Sequence, residues 1–227
     1  MSGAQEKSAY HYNLGVLYEK KNDPAAAKDE YRKAIEADPE FPYPYKSLGE
    51  IYSREGNLDA ALSELSMALK LDPEWVEVLA LAAGVLYDKG EIPRAIHFQE
   101  KAAAKAPRNA GYAAALGRML ISDGRFSDAI EVLERALDAD GDKFLVHYNL
   151  GVAHGKRAMS DMDRSIENWK KARRLNPDDP QVHRNLGIAY FTKGLLEEAR
   201  ASFRRALELN PSDEASRKYL KYSEAFK

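Results

Sequence analysis

Cysteine is absent from the 227 residues, which excludes disulfides, thiolate metal sites and cysteine nucleophiles together. No stretch reaches the ~20 apolar residues of a membrane span. Residues 1–7 lack the apolar run of a signal peptide. An excess of charge of one sign is missing too. Lys and Arg number 34 against 36 Asp and Glu, a net charge of −2, so no basic surplus argues for nucleic acid. The sequence contains no Gly-x-Ser-x-Gly elbow, Walker loop, His-Glu-x-x-His helix or Gly-rich dinucleotide turn. These absences predict a non-enzymatic chain with no cofactor, no nucleic-acid partner and no membrane insertion. They suit the cytoplasm, or the periplasm if a signal peptide has been removed.

What is present is a globular composition, 44% hydrophobic and 31% charged, and a repeat. Leu-Gly recurs at Leu14-Gly15, Leu48-Gly49, Leu116-Gly117, Leu150-Gly151 and Leu186-Gly187, at intervals of 34, 68, 34 and 36. Ala82-Ala83 fills the midpoint of the 68. Pro39, Pro73, Pro107, Pro177 and Pro211 keep the same step, with Gly141 standing in once. Ala34, Ala68, Ala102, Ala136, Ala172 and Ala206 hold their place in all six units.

Each unit reads as two helices. In 42–75, Tyr45, Leu48, Gly49 and Tyr52 form one apolar stripe. Gly56-Asn57 then breaks the helix, and Asn57 is placed to cap the next. Ala61, Leu65 and Ala68 form the second stripe, which Asp72-Pro73 ends. Gly49 and Ala61 let the two backbones approach, and bulky neighbours fill the space around them. Gly56, Gly90, Gly124 and Gly194 recur in the turn and read as turn glycines rather than phosphate cradles.

This pattern resembles the tetratricopeptide repeat, Trp-x2-Leu-Gly-x2-Tyr…Ala-x3-Phe…Pro, over residues 8–213. The units are 8–41, 42–75, 76–109, 110–143, 144–179 and 180–213, after a leader at 1–7 and before a capping helix at 214–227. The third departs most, with Ala82-Ala83 for Leu-Gly and Gln99 at the aromatic position. The fifth carries two extra residues within 156–163, and Ser165 stands where the second unit has Ala61. The resemblance implies an all-α fold, a right-handed superhelical α-solenoid of six helix-turn-helix repeats in one domain with a C-terminal lid. On that lid Ala215, Tyr219, Tyr222 and Phe226 are expected to face inward. The N-terminal end shows no comparable lid.

Five histidines invite a metal reading, but His11, His147 and His183 hold the bulky position of Tyr45, and His154 that of Tyr18 and Tyr52. No carboxylate is placed to complete a zinc set, so no metal site is expected. The basic tract from Lys156 to Arg174 contains Asp161, Asp163 and Glu167 and reads as a solvated outer face, with Trp169 packed.

In the family, first helices line a concave groove. If the Leu-Gly pair at places 7 and 8 of a unit faces the core, places 2, 5, 6, 9, 12 and 13 face the groove. Those places give the candidate contacts Tyr12, Asn13, Lys46, Arg118, Tyr148, Asn149, Arg184 and Asn185. An amide there can donate to and accept from a peptide backbone. The chaperone carboxylate clamp of some members is missing, since its places hold Tyr12, Val16, Ser47, Glu77 and Leu81. Small apolar residues (Ala80, Leu81, Gly84, Gly111, Ala114, Ala115) predict a floor suited to an aliphatic or helical segment. The expected function is a protein-interaction scaffold binding a protein or peptide segment. The alternatives are a self-assembling scaffold, hence a possible homo-oligomer, or a module of a larger protein.

Overall fold

A computed structural model describes residues 3–138 and 143–225; Gly141 and Phe226 lie outside the described residues. Among the described residues there are α-helices and short 3-10 turns and no β-strand. Because each repeat packs only on its neighbours, an array can hold more than one compact unit. Two compact units are present, Met1–Lys105 and Ala106–Lys227.

The first unit comprises α1 (Gly3–Lys20), α2 (Pro24–Ala37), α3 (Tyr43–Arg54), α4 (Leu58–Leu71), α5 (Val76–Asp88) and α6 (Ile92–Lys105). Residues 3–7, expected as a leader, form the opening turn of α1, and Ser8 ties that helix to α2 by donating to the Ala34 carbonyl (2.8 Å). The second unit comprises α7 (Ala110–Ser122), α8 (Phe126–Arg135) with a 3-10 turn at Ala136–Asp138, α9 (Phe144–Arg157), α10 (Met162–Leu175), α11 (Pro180–Thr192), α12 (Leu196–Leu209) and α13 (Glu214–Ala225). The two extra residues of the fifth repeat are absorbed between α9 and α10, where extended Ala158 leads into a 3-10 turn at Met159–Asp161.

Local chemistry sets the helix ends. Asp23 and Asn57 accept from the amides of Ala26 and Ala60 (3.0 and 3.2 Å), and Asp179 accepts from Gln181 and Val182 (2.8 and 3.0 Å). Each such cap stabilises its helix by about 1 kcal/mol. Between the two helices of a repeat, Gly56, Gly90, Gly124 and Gly194 take φ of 75–82°, the left-handed region where a side chain is strained; Asn22 does the same job at 59°. Between repeats, the carboxamide or carboxylate before the proline accepts the amide two residues on: Asp38 from Glu40, Asp72 from Glu74, Asn210 from Ser212. The polar end of the place-4 residue then donates to the carbonyl of that proline, Tyr45 to Pro39 (3.2 Å) and His183 to Pro177 (2.7 Å). His183 is therefore a structural residue.

Inside a repeat the glycine of Leu-Gly meets the large side chain of the second helix. A Cβ at Gly15 would lie 2.4 Å from the Tyr31 ring, at Gly49 2.7 Å from Leu65, at Gly151 2.4 Å from Trp169 and at Gly187 2.5 Å from Phe203. The glycine exists because the ring needs its space. The third repeat solves the same contact differently: Ala83 and Gln99, both fully buried, replace glycine and aromatic. Ser165 fits the alanine position of the fifth because its hydroxyl donates to the Gly151 carbonyl (2.7 Å).

Helix α13 covers the sixth repeat, with Tyr219 stacked on Phe203 (5.7 Å) and edge-on to Phe191 (5.7 Å). Its inward stripe is Ser216, Tyr219, Leu220 and Ser223, whereas Tyr222 is 46% exposed. Tyr219 faces inward as expected, while Ser216 and Ser223 take the inward places expected of Ala215 and Tyr222, for a chemical reason. Asp213 caps α13 and accepts the Ser216 hydroxyl (2.9 Å), and Arg200 reaches back to the Ser223 carbonyl, which together fix the rotation of the helix.

Candidate functional site

The first helices of each compact unit carry the candidate contacts. In Met1–Lys105, Asn13 of α1 is exposed and Lys46 of α3 is paired with Glu50 (2.6 Å). Tyr12 belongs to a feature that the place-by-place reading missed. Its ring lies 5.5 Å from Phe41 and 6.0 Å from Tyr43, and Tyr43 lies 5.0 Å from Trp75 in an edge-on contact. Tyr43 is 48% exposed, so the ladder presents a large aromatic edge to solvent. The signal was present in the sequence as aromatics on the last residue of the first two repeats, Phe41 and Trp75, next to Tyr43 at the start of the second.

In Ala106–Lys227, Tyr148 and Asn185 come together across α9 and α11. The Tyr148 hydroxyl accepts from the Asn185 amide (3.3 Å) and donates to Gln181 (3.0 Å). Burial raises the Tyr148 pKa above its ordinary value against the opposing pull of Asn185 and Arg184, so the phenol stays neutral and able to donate. Arg118 is exposed on α7.

Asn149, Ala114 and Arg184 are engaged within the fold. Asn149 is buried and donates to the Ala114 carbonyl (3.0 Å), a tie between α9 and α7 rather than a free amide. Ala114 itself is fully buried beneath it and forms no floor. The cause is the small side chain on α7, which lets the neighbouring first helix close to hydrogen-bonding distance. Arg184 turns to the C-terminal lid, 3.4 Å from Asp213. Burial would raise the Asp213 pKa, but the Ser216 hydroxyl and amide, with Arg184, outweigh it and hold the carboxylate below its ordinary range.

Two further histidines bond within the fold, while His97 is exposed. His11 bonds Glu30 (2.7 Å) and His147 bonds Asn168 (3.0 Å). His154 is 2% exposed, with Nδ1 unpartnered and 3.9 Å from Asp161, and burial lowers its pKa. No three His, Asp or Glu side chains gather as a metal set among the described residues. Nor is any described helix long and apolar enough to cross a membrane. Of the basic tract, Arg157 pairs with Asp161, Lys171 with Glu167, and Lys170 lies over the Tyr190 ring; Trp169 is buried.

Tetratricopeptide repeat signatures match residues 8–41, 30–63, 117–157 and 153–214, and the chain belongs to that family. The curated relative DnaJ homolog subfamily C member 3 of Bos taurus is 28% identical over 103 residues, covering 43% of this chain and 19% of that protein. The chain thus matches about a fifth of the relative's length. Among solved structures, pilF of Pseudomonas aeruginosa superposes with a TM-score of 0.79 at 18% identity over 100% of both chains. YrrB, described as a TPR protein with an unusual peptide-binding site, superposes with a TM-score of 0.66 at 22% identity, over 84% of this chain and 97% of its own. Both share the fold with this chain.

Proposed function

We propose that this chain is a non-catalytic interaction module that holds a protein or peptide segment on the first-helix face of its repeats. The observation that carries the reading is the aromatic ladder of partly buried Tyr12, Phe41 and Trp75 with half-exposed Tyr43, in the unit that also carries exposed Asn13 and the Lys46–Glu50 pair. Exposed aromatics with polar groups alongside are what binding hot spots are made of. The Tyr148–Asn185–Gln181 set offers a second anchor of amides and a phenol within the other compact unit. Peptide binding by YrrB supports the reading by analogy.

The test is to select a peptide from a displayed library against the full chain and titrate it calorimetrically. Tyr43→Ala and the double variant Tyr148→Ala/Asn185→Ala are each expected to weaken it by about tenfold or more, since a hot-spot contact is worth ~2 kcal/mol. Unchanged affinity in both variants refutes the assignment. Self-assembly is favoured by a separate observation: on α1, Tyr10 is 61% and Leu17 51% exposed, seven residues apart on one side. Light scattering of the wild type and of Leu17→Glu separates the two: a wild type monomeric at all concentrations leaves only the first reading, and assembly lost in Leu17→Glu supports the second.

A further inference from the structure

The third repeat carries smaller residues than the second and sixth at three places of its first helix. At places 4, 7 and 11 the second repeat carries Tyr45, Leu48 and Tyr52 and the sixth His183, Leu186 and Tyr190, but the third carries Leu79, Ala82 and Leu86. In the second and sixth repeats a cation from the second helix of the preceding repeat closes over the place-11 tyrosine. Lys28 of α2 lies 5.3 Å from the Tyr52 centroid while Arg32 donates to its hydroxyl, and Lys170 of α10 lies 5.8 Å from Tyr190. Leu86 supplies no ring, as Leu120 of the fourth repeat supplies none, but the third repeat alone also has alanine, Ala82, at place 7. Beside Ala82 and Leu86 a cleft of about 320 Å³ opens between α4, α5 and α6, wholly within Met1–Lys105.

Leu62, Leu69, Leu79 and Phe98 form the apolar wall of this cleft, and Ala82 lies at its base. Lys70, Arg94 and Lys101 are its only charged lining residues, all cationic. Arg94 shares Glu91 with Lys89, and Lys101 lies 5.9 Å from the Phe98 centroid. On α5 the lining residues Leu79, Ala82 and Leu86 occupy places 4, 7 and 11, none of which is a groove-facing place. The cleft is therefore a different surface from the first-helix face.

We propose that this cleft is a second binding site, which takes from an acidic peptide the aromatic ring that the third repeat lacks. The ring enters against Leu62, Leu79 and Phe98, beside Leu86, which holds the place of Tyr52 and Tyr190. Flanking carboxylates of the peptide meet Lys70, Arg94 and Lys101. The volume fits one or two large side chains and lies at the small end of ligand pockets, about 300–1,000 Å³. An aromatic anchor with acidic neighbours satisfies both the apolar wall and the rim of one sign.

The probe is an acetylated, amidated peptide of sequence Glu-Asp-Phe-Glu-Asp, titrated at millimolar concentration into the ¹⁵N-labelled full chain and followed by amide shifts. Saturable shifts are expected around Leu62, Leu69, Leu86 and Phe98. Ala82→Leu, which restores the residue of the other five repeats, should weaken binding by about tenfold or more. Lys70→Glu/Lys101→Glu, confined to exposed positions, should do the same and abolish the salt dependence. A peptide with Lys for every acid should not bind. The proposal is overturned if no saturable shift occurs at these residues, or if binding persists in the double reversal. It is equally overturned if the shifts fall on the Tyr12–Tyr43–Trp75 ladder, a result that would support the first-helix reading.

Discussion

Replacing Gly49 by alanine tests the central packing contact of the repeat, and its effect depends on Leu65. A Cβ at Gly49 would stand 2.7 Å from both Cγ and Cδ2 of Leu65, a side chain with no exposure, and 3.4 Å from the Ala61 carbonyl. Two effects oppose each other. Alanine gains about 1 kcal/mol of helix propensity over glycine, and overpacking a filled contact loses about 1–3 kcal/mol. The single variant should be neutral to destabilised by about 2 kcal/mol. Leu65→Ala alone should lose about 2–5 kcal/mol by cavity formation. In that background the clash is gone, so Gly49→Ala should stabilise, and the cycle should show a coupling of about 1–3 kcal/mol. Gly117 and Leu133, at the same 2.7 Å in the second compact unit, provide an independent replicate. Gly56→Ala is the control. Its φ of 76° makes alanine strained by about 1–2 kcal/mol, yet nothing lies within 4 Å, so it should add to Leu65→Ala without coupling. Native-state hydrogen exchange at α3 and α4 amides reads these free energies locally. Additive behaviour of Gly49→Ala and Leu65→Ala would refute the close-approach account.

Asn149→Ala should destabilise by about 0.5–1.5 kcal/mol, because it removes a buried hydrogen bond to the Ala114 carbonyl, whereas exposed Asn13→Ala should fall within about 0.5 kcal/mol of wild type in urea melts. Stability should decline as pH falls below about 6.5. His154, lowered by burial and by Arg157 and Arg164 against the opposing pull of Asp161 and Glu134, stays neutral when folded, while the unfolded chain takes up the proton. Above that pH the group contributes nothing to the slope, and His154→Gln should flatten melts compared between pH 5.5 and 7.5, values chosen to lie about one unit either side of an ordinary histidine. Tyr219→Ala should remove about 1–3 kcal/mol, less than for a fully buried aromatic. Exchange protection should drop in α12 and α13 and be unchanged in α1 to α6.

The parts of the fold legible in the sequence are those in which one residue does one local job. Asn57 caps α4, Gly56 turns left-handed and Gly49 faces Leu65, each within its own repeat. What escaped the sequence depends on neighbours. Asn149 is polar at a place read as groove-facing, but its environment is set by Ala114 one repeat earlier. The rotation of α13 is decided by Asp213 and Arg200, which pattern reading treats as surface charges. The aromatic ladder joins the last residue of one repeat to the first helix of the next, so counting within repeats divides it.

The chain's two tryptophans, Trp75 and Trp169, fall one in each compact unit and in opposite surroundings. Trp75 is partly buried, edge-on to half-exposed Tyr43, while Trp169 is buried in the notch over Gly151. Indole emission is therefore an intrinsic two-channel reporter that needs no label. Replacing either tryptophan by phenylalanine isolates the other's signal, so loss of order in one half can be watched without the other. Emission that remains after Trp169→Phe is also placed to sense a guest settling on the ladder, because any ring stacked on Tyr43 changes the solvent around Trp75.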